Sequence, residues 1–217
     1  MAFDPAVLAL YVVTSATVSR DRGHVEIARA AIAGGATAIQ LRAPELDDEA
    51  LLPVAREIVA LGRAGGVLTI VNDRVGVAME ADADGVHLGQ EDAFGDAARR
   101  VGPRRVLGIS VGTPLEARGA EAAGAHYLGV TVWSTATKPE ARPVGLDGVR
   151  AIARATRLPV VGIGGIDASN AADVLAAGAR GVAVVSAVAA ADDMVAAARG
   201  LRDAIAGADA AARGGAR

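Results

Sequence analysis

Cysteine is absent from the 217 residues. Disulfide bridges and thiol catalysis are therefore excluded, which fits a reducing compartment such as the cytoplasm. Lysine is almost absent: of 22 basic residues only Lys138 is not arginine. No basic block stands out, and 25 acidic residues bring the formal net charge to −3, so a nucleic-acid surface is not indicated. No apolar run approaches the ~20 residues of a membrane span. The opening MAFDPAVLALYVVT has no basic lead-in and reads as a first strand, not a targeting or membrane segment. No change in composition divides the chain.

What is present is a globular balance, 52% hydrophobic and 22% charged. Short apolar runs alternate with Ala-rich helical stretches. Strands are predicted at 8–14, 38–42, 67–72, 85–88, 106–110, 127–132, 159–163 and 181–186. Helices are predicted at 24–33, 47–63, 74–81, 93–101, 114–123, 146–156, 169–177 and 191–206. The strands are rich in Val, Ile and Leu on both faces, as strands covered by helices must be. Several helices end in Gly, which caps them cheaply in the left-handed region. Eight strand–helix units in about 200 residues close into a single-domain α/β fold, a (β/α)8 barrel, more naturally than into an open sheet. The barrel is expected over 1–206, with 207–217, which lacks an apolar stripe, as a frayed tail.

In such barrels the residues just past each strand face the active site. Those positions hold Gln40 and Arg42, then Asn72, Asp73 and Arg74, then His87, Gly89, Gln90 and Asp92. Ser110 follows strand five, Thr135, Thr137 and Lys138 follow strand six, Gly162, Gly164 and Gly165 follow strand seven, and Ser186 follows strand eight. In VVGIGGIDASNA, glycines without Cβ let backbone N–H groups approach an anion, and the helix opening near Ser169 adds its dipole. The plainer reading is a tight strand-to-helix turn. Asp73 and Asp92 form a candidate Mg²⁺ pair, since Mg²⁺ takes one or two carboxylates with phosphates and waters; each is alternatively a helix cap. The lone Lys138 marks a place where a compact ammonium differs from a planar guanidinium. His87 reads as a hydrogen-bonded structural residue, His24 and His126 as helix-start and surface residues. Arg42 has Glu45 and Asp47 as ordinary salt-bridge partners. Trp133 either walls the pocket or packs.

Taken in order, QLR at 40–42, VNDR at 71–74, GVHLGQED at 85–92, GISV at 108–111, STATK at 134–138, VVGIGGI at 160–166 and VVSAV at 184–188 resemble the thiamine phosphate synthase family. The resemblance implies a Mg²⁺-dependent transferase in thiamine biosynthesis, acting on small phosphorylated substrates. Pyrophosphate leaves hydroxymethylpyrimidine pyrophosphate, and the nitrogen of hydroxyethylthiazole phosphate captures the pyrimidine methylene. By the same resemblance Asp73 and Asp92 hold Mg²⁺, while Arg42, Asn72, Ser110 and Lys138 contact pyrophosphate. Gln40 meets the pyrimidine, and Thr135, Thr137, Gly165, Val185 and Ser186 hold the thiazole phosphate. Catalytic weight falls on Arg42, Ser110 and Lys138.

Two features depart from the family pattern. Pro44 stands where a lysine is usual, leaving Arg74 or another group to supply that charge, and GVTVWST replaces the usual Gly-Pro run. The alternatives are a thiazole tautomerase, whose histidine would fall at Thr131, and a non-catalytic phosphate-binding barrel. Whether the chain forms a homo-oligomer is left open.

Overall fold

The computed structural model describes residues 3–89, 99–102, 104–134 and 142–214. Among them, eight parallel strands follow one another in chain order and close into a barrel. They are β1 (Leu10–Val13), β2 (Ala38–Leu41), β3 (Leu68–Asn72), β4 (Gly85–Leu88), β5 (Val106–Ser110), β6 (Tyr127–Thr131), β7 (Val160–Ile163) and β8 (Gly181–Val184). β8 pairs back onto β1, Leu10 beside Val182. The expected (β/α)8 architecture is what the chain adopts.

The connecting helices are α1 (His24–Ala33), α2 (Asp48–Gly65), α3 (Val75–Glu80), α4 (Pro114–Ala122), α5 (Gly145–Ala155), α6 (Ala171–Ala176), α7 (Ser186–Ala189) and α8 (Met194–Gly214). The helix expected at 93–101 lies mostly outside the described residues; 99–101 are helical. Local chemistry sets the boundaries. Asp47 caps α2 by accepting from the Ala50 N–H at 2.9 Å, and Thr113 caps α4 ahead of Pro114.

Three expectations at the ends need correction. β1 begins at Leu10, not 8, because Asp4 accepts from the Ala6 N–H and starts a 3₁₀ turn at Pro5–Leu8. β8 stops at Val184 because Ser186 opens the short α7. Segment 207–217 is not a frayed tail throughout: α8 runs to Gly214, as a run rich in alanine, the best helix former, allows.

Side chains alternate along each strand. Leu10, Val12, Ile39, Leu41, Val86, Leu107, Leu128 and Val182 join the buried layer shared with the helices. The opposite parity fills the barrel with Tyr11, Val13, Ala38, Ile70, Tyr127, Val161 and Ala183, joined by Leu8 from the 3₁₀ turn. Continuing that inward parity along the strands reaches Gln40, Asn72, His87, Ser110 and Thr131, which are polar. The apolar plug therefore ends below the mouth, and a cavity begins whose wall carries polar side chains.

Candidate active site

A cavity of about 350 Å³ opens at the C-terminal ends of the strands. Of the expected site residues, Gln40, Arg42, Asn72, Ser110, Gly165, Val185 and Ser186 line it. A second cavity of about 100 Å³ shares Arg42 and Asn72 and adds Pro44, Asp73 and Arg74. Asp92, Thr135, Thr137 and Lys138 lie outside the described residues, as does Gln90.

The wall from β2 to β5 carries the polar side chains. Gln40 is buried and donates from Nε2 to the Tyr11 hydroxyl at 2.7 Å. Arg42 has its backbone N–H held by Thr14 Oγ1 at 3.3 Å. Neither ordinary partner takes its guanidinium: Glu45 pairs with His24 at 2.8 Å, and Asp47 caps α2. Arg42 still acts on Glu45 through space. Burial would raise that carboxyl, but its own backbone N–H, His24 and the Arg42 charge outweigh it and hold it below the usual 4.5. The expected helix start at His24 holds. The residue is buried and bridges Thr14 and Glu45, each at 2.8 Å.

Asn72 donates from Nδ2 to Asp73 Oδ2 at 2.5 Å. Asp73 has a φ of +59°, a left-handed conformation that Asp tolerates better than most residues. Its role is not to cap α3, whose N-cap position is Arg74 with no side-chain capping bond. Arg74, the candidate substitute for the missing lysine, pairs with Asp48 at 2.8 Å. Among the described residues no group of three His, Cys, Asp or Glu side chains is placed to hold a metal ion. Asp73, a hard oxygen donor at the rim beside Arg42, suits a Mg²⁺ that draws most of its ligands from phosphate and water.

The opposite wall is backbone. Gly164 and Gly165 turn the chain after β7 with φ of +96° and +66°. A Cβ on Gly164 would come within 2.6 Å of the Trp133 carbonyl oxygen. Trp133 accordingly packs on this turn and on the core. The backbone N–H groups of Gly165 and Ser186 bond to no protein acceptor among the described residues. Two open donors on neighbouring loops at one cavity wall suit an anion. Asp167, also on this wall, is tied up by the Ser169 hydroxyl and N–H, which hold its carboxyl below the usual 3.8.

Of the floor, only the hydrogen-bonded His87 was foreseen. Tyr11 and Tyr127 are fully buried with hydroxyls 2.9 Å apart, and His87 links Tyr127 to Ser110 with contacts of 3.0 and 2.9 Å. Burial pushes both phenols well above their usual 10. Glycines make the room. Strand register sets Gly108 between His87 and Tyr127, and Gly129 beside Ser110. A Cβ on Gly108 would stand 2.1 Å from Tyr127 Cζ, and one on Gly129 would stand 2.9 Å from His87 Cε1. His126 lies elsewhere; its Nδ1 accepts from the Leu107 N–H, and burial lowers its pKa.

With this geometry in place, the comparisons with known proteins are specific. Residues 10–188 match the family model described as thiamine monophosphate synthase. The chain is 50% identical over 180 residues to the thiamine-phosphate synthase of Moorella thermoacetica, covering 82% of this chain and 86% of that one. It is 49% identical over 207 residues to the thiamine-phosphate synthase of Methanoculleus marisnigri, covering 94% and 98%. Among solved structures, thiamine phosphate pyrophosphorylase from Pyrococcus furiosus superposes with a TM-score of 0.87 at 39% identity, covering 94% of this chain and 98% of that one. From the strand-end residues gathered at one cavity and the match over most of its length, the chain belongs to the thiamine monophosphate synthase family.

Proposed function

We propose that this chain is a thiamine-phosphate synthase, joining hydroxymethylpyrimidine pyrophosphate to hydroxyethylthiazole phosphate. The observation that carries the reading is one cavity with two anion-compatible sides. Arg42, Asn72 and Ser110 border it on one side, and the open N–H groups of Gly165 and Ser186 border it on the other. At about 350 Å³ it is of the size that small ligands occupy.

The chemistry asks little more. The bond between the pyrimidine methylene and the pyrophosphate oxygen breaks, and its electron pair leaves on pyrophosphate. The thiazole nitrogen lone pair then forms the new C–N bond. No proton moves at the reacting carbon, so no general base is needed. Arg42, Asn72 and Ser110, with Lys138 from the neighbouring loop, would contact the leaving group as its charge grows. Thr135 and Thr137 would join Gly165, Val185 and Ser186 around the thiazole phosphate. When bound, Mg²⁺ would neutralise pyrophosphate charge, with Asp73 and Asp92 as its carboxylates. Thr131 supports the synthase over a tautomerase, because it places a hydroxyl and no histidine on the cavity wall. The lack of cysteine accords with work in the cytoplasm.

Rescue tests the reading. A bacterium lacking its own synthase should grow without thiamine when supplied with this gene. No growth, despite accumulation of folded protein, would oppose it.

A further inference from the structure

Five side chains on five strands form an unbroken series along the cavity floor. Gln40 Nε2 lies 2.7 Å from the Tyr11 hydroxyl, which is 2.9 Å from that of Tyr127. Tyr127 is 3.0 Å from His87 Nδ1, and His87 Nε2 is 2.9 Å from Ser110 Oγ. We propose that this series is a single polarised hydrogen-bond relay. It holds His87 as the Nε2–H tautomer and leaves the Ser110 hydroxyl proton for an anionic group in the cavity.

The number of protons available fixes each direction. The Gln40 amide nitrogen only donates, so the Tyr11 oxygen accepts. The single Tyr11 proton then goes to Tyr127, the other polar group it contacts among the described residues. Tyr127 in turn gives its proton to the Nδ1 lone pair of His87. That ring must carry its own proton on Nε2, where Ser110 Oγ accepts it. Ser110 keeps a proton, and Ser110 faces the cavity. A defect anywhere along the row leaves a buried hydroxyl without an acceptor, which is costly, so the row behaves as a unit.

The one other defect-free arrangement is the complete reverse. Gln40 turns its amide over, every hydroxyl reverses, and Ser110 offers the cavity lone pairs instead of a proton. An anion rejects that state. The side-chain Oε1 of Gln40 has no protein partner among the described residues, and Gln40 also lines the cavity. The ligand-free chain already holds the first polarity, with Gln40 Nε2 on the Tyr11 hydroxyl, and a ligand N–H at Gln40 and an anion at Ser110 both strengthen it. Recognition of a donor-bearing ring at one end readies the donor at the other. His87, Tyr127 and Tyr11 are positioning residues in this account. The relay itself is independent of the synthase reading; only the identification of the anion as the departing pyrophosphate rests on it.

The test uses no substrate. Long-range ¹H–¹⁵N correlation spectra of the ligand-free, ¹⁵N-labelled chain report which ring nitrogen of His87 is protonated. Spectra are taken in mildly alkaline buffer, with His87→Gln for assignment. In the wild type, Nδ1 should show the pyridine-type shift and Nε2 the pyrrole-type shift. Gln40→Glu places an acceptor-only carboxylate at the head of the row and should reverse the two. Tyr127→Phe, which removes one hydroxyl and keeps the ring, should give an average of both tautomers. An Nδ1–H tautomer in the wild type overturns the polarity. A folded Gln40→Glu variant with an unchanged His87 overturns the coupling. Should Gln40→Glu not fold, an unchanged His87 in Tyr127→Phe overturns it instead. None of these results bears on whether the chain makes thiamine phosphate.

Discussion

Ser110 sits at the end of β5, with Gly129 beside it in register and His87 bonded to its oxygen. One preorganised donor aimed at developing charge is worth about 2.7–4 kcal/mol in the transition state. Ser110→Ala should therefore lower kcat and kcat/KM for the pyrimidine pyrophosphate together, by roughly 100- to 1000-fold. The KM for thiazole phosphate should hold, since its expected contacts follow β6, β7 and β8. Steady-state kinetics with each substrate varied decides this, and a rise in KM alone would place Ser110 in ground-state binding. Asp73 offers a cleaner separation of charge from backbone. Asparagine also tolerates the left-handed φ that Asp73 adopts. Asp73→Asn should thus fold normally and lose most turnover at limiting Mg²⁺, with little change in thiazole phosphate affinity measured by calorimetry. Near-native rates would remove Asp73 from the metal assignment.

The strands show why glycine is part of the site's construction. Gly108 lies in register between His87 on β4 and Tyr127 on β6. Gly108→Ala would press a methyl group against the Tyr127 ring. Overpacking of this kind costs about 1–3 kcal/mol. Denaturant unfolding should show that loss, and it should shrink in a Tyr127→Leu background, where the ring is gone. Equal losses in both backgrounds would mean that Gly108 does not serve to admit the ring. The same strands explain what could be read in advance. Gln40, Arg42, Asn72, Ser110, Gly165 and Ser186 were legible because a parallel barrel brings its strand ends to one mouth, wherever they fall in the chain. Tyr11 and Tyr127 were missed because they stand below that mouth inside apolar runs, where an aromatic reads as core. A signal was available: they are the chain's only two tyrosines, on inward parity, with glycines on neighbouring strands. His24 starts a helix as expected, but its bridge was not legible because Thr14 and Glu45 are 10 and 21 residues away, distances that mean nothing until the loops converge. The fate of 207–217 turned on helix propensity, which a search for an apolar stripe overlooks.

At the scale of the whole molecule, the buried floor makes folding and ionisation one event. Both phenols have their pKa raised by burial. Their contribution to stability is complete below their usual pKa of 10 and is lost as pH rises above it toward the folded values. Because the chain has no other tyrosine, tyrosinate absorbance should stay flat past pH 10 and rise only as the circular dichroism signal of folding is lost. Titration of either phenol in the folded protein would contradict the sealed floor. Above that floor the barrel presents one cavity with two anion-compatible sides, and the account stands on their acting together. The most direct test is turnover by the purified chain with both substrates and Mg²⁺. The account predicts thiamine phosphate and pyrophosphate in equal amounts, and neither when one substrate is withheld. A folded chain that binds both substrates and forms no thiamine phosphate would contradict it.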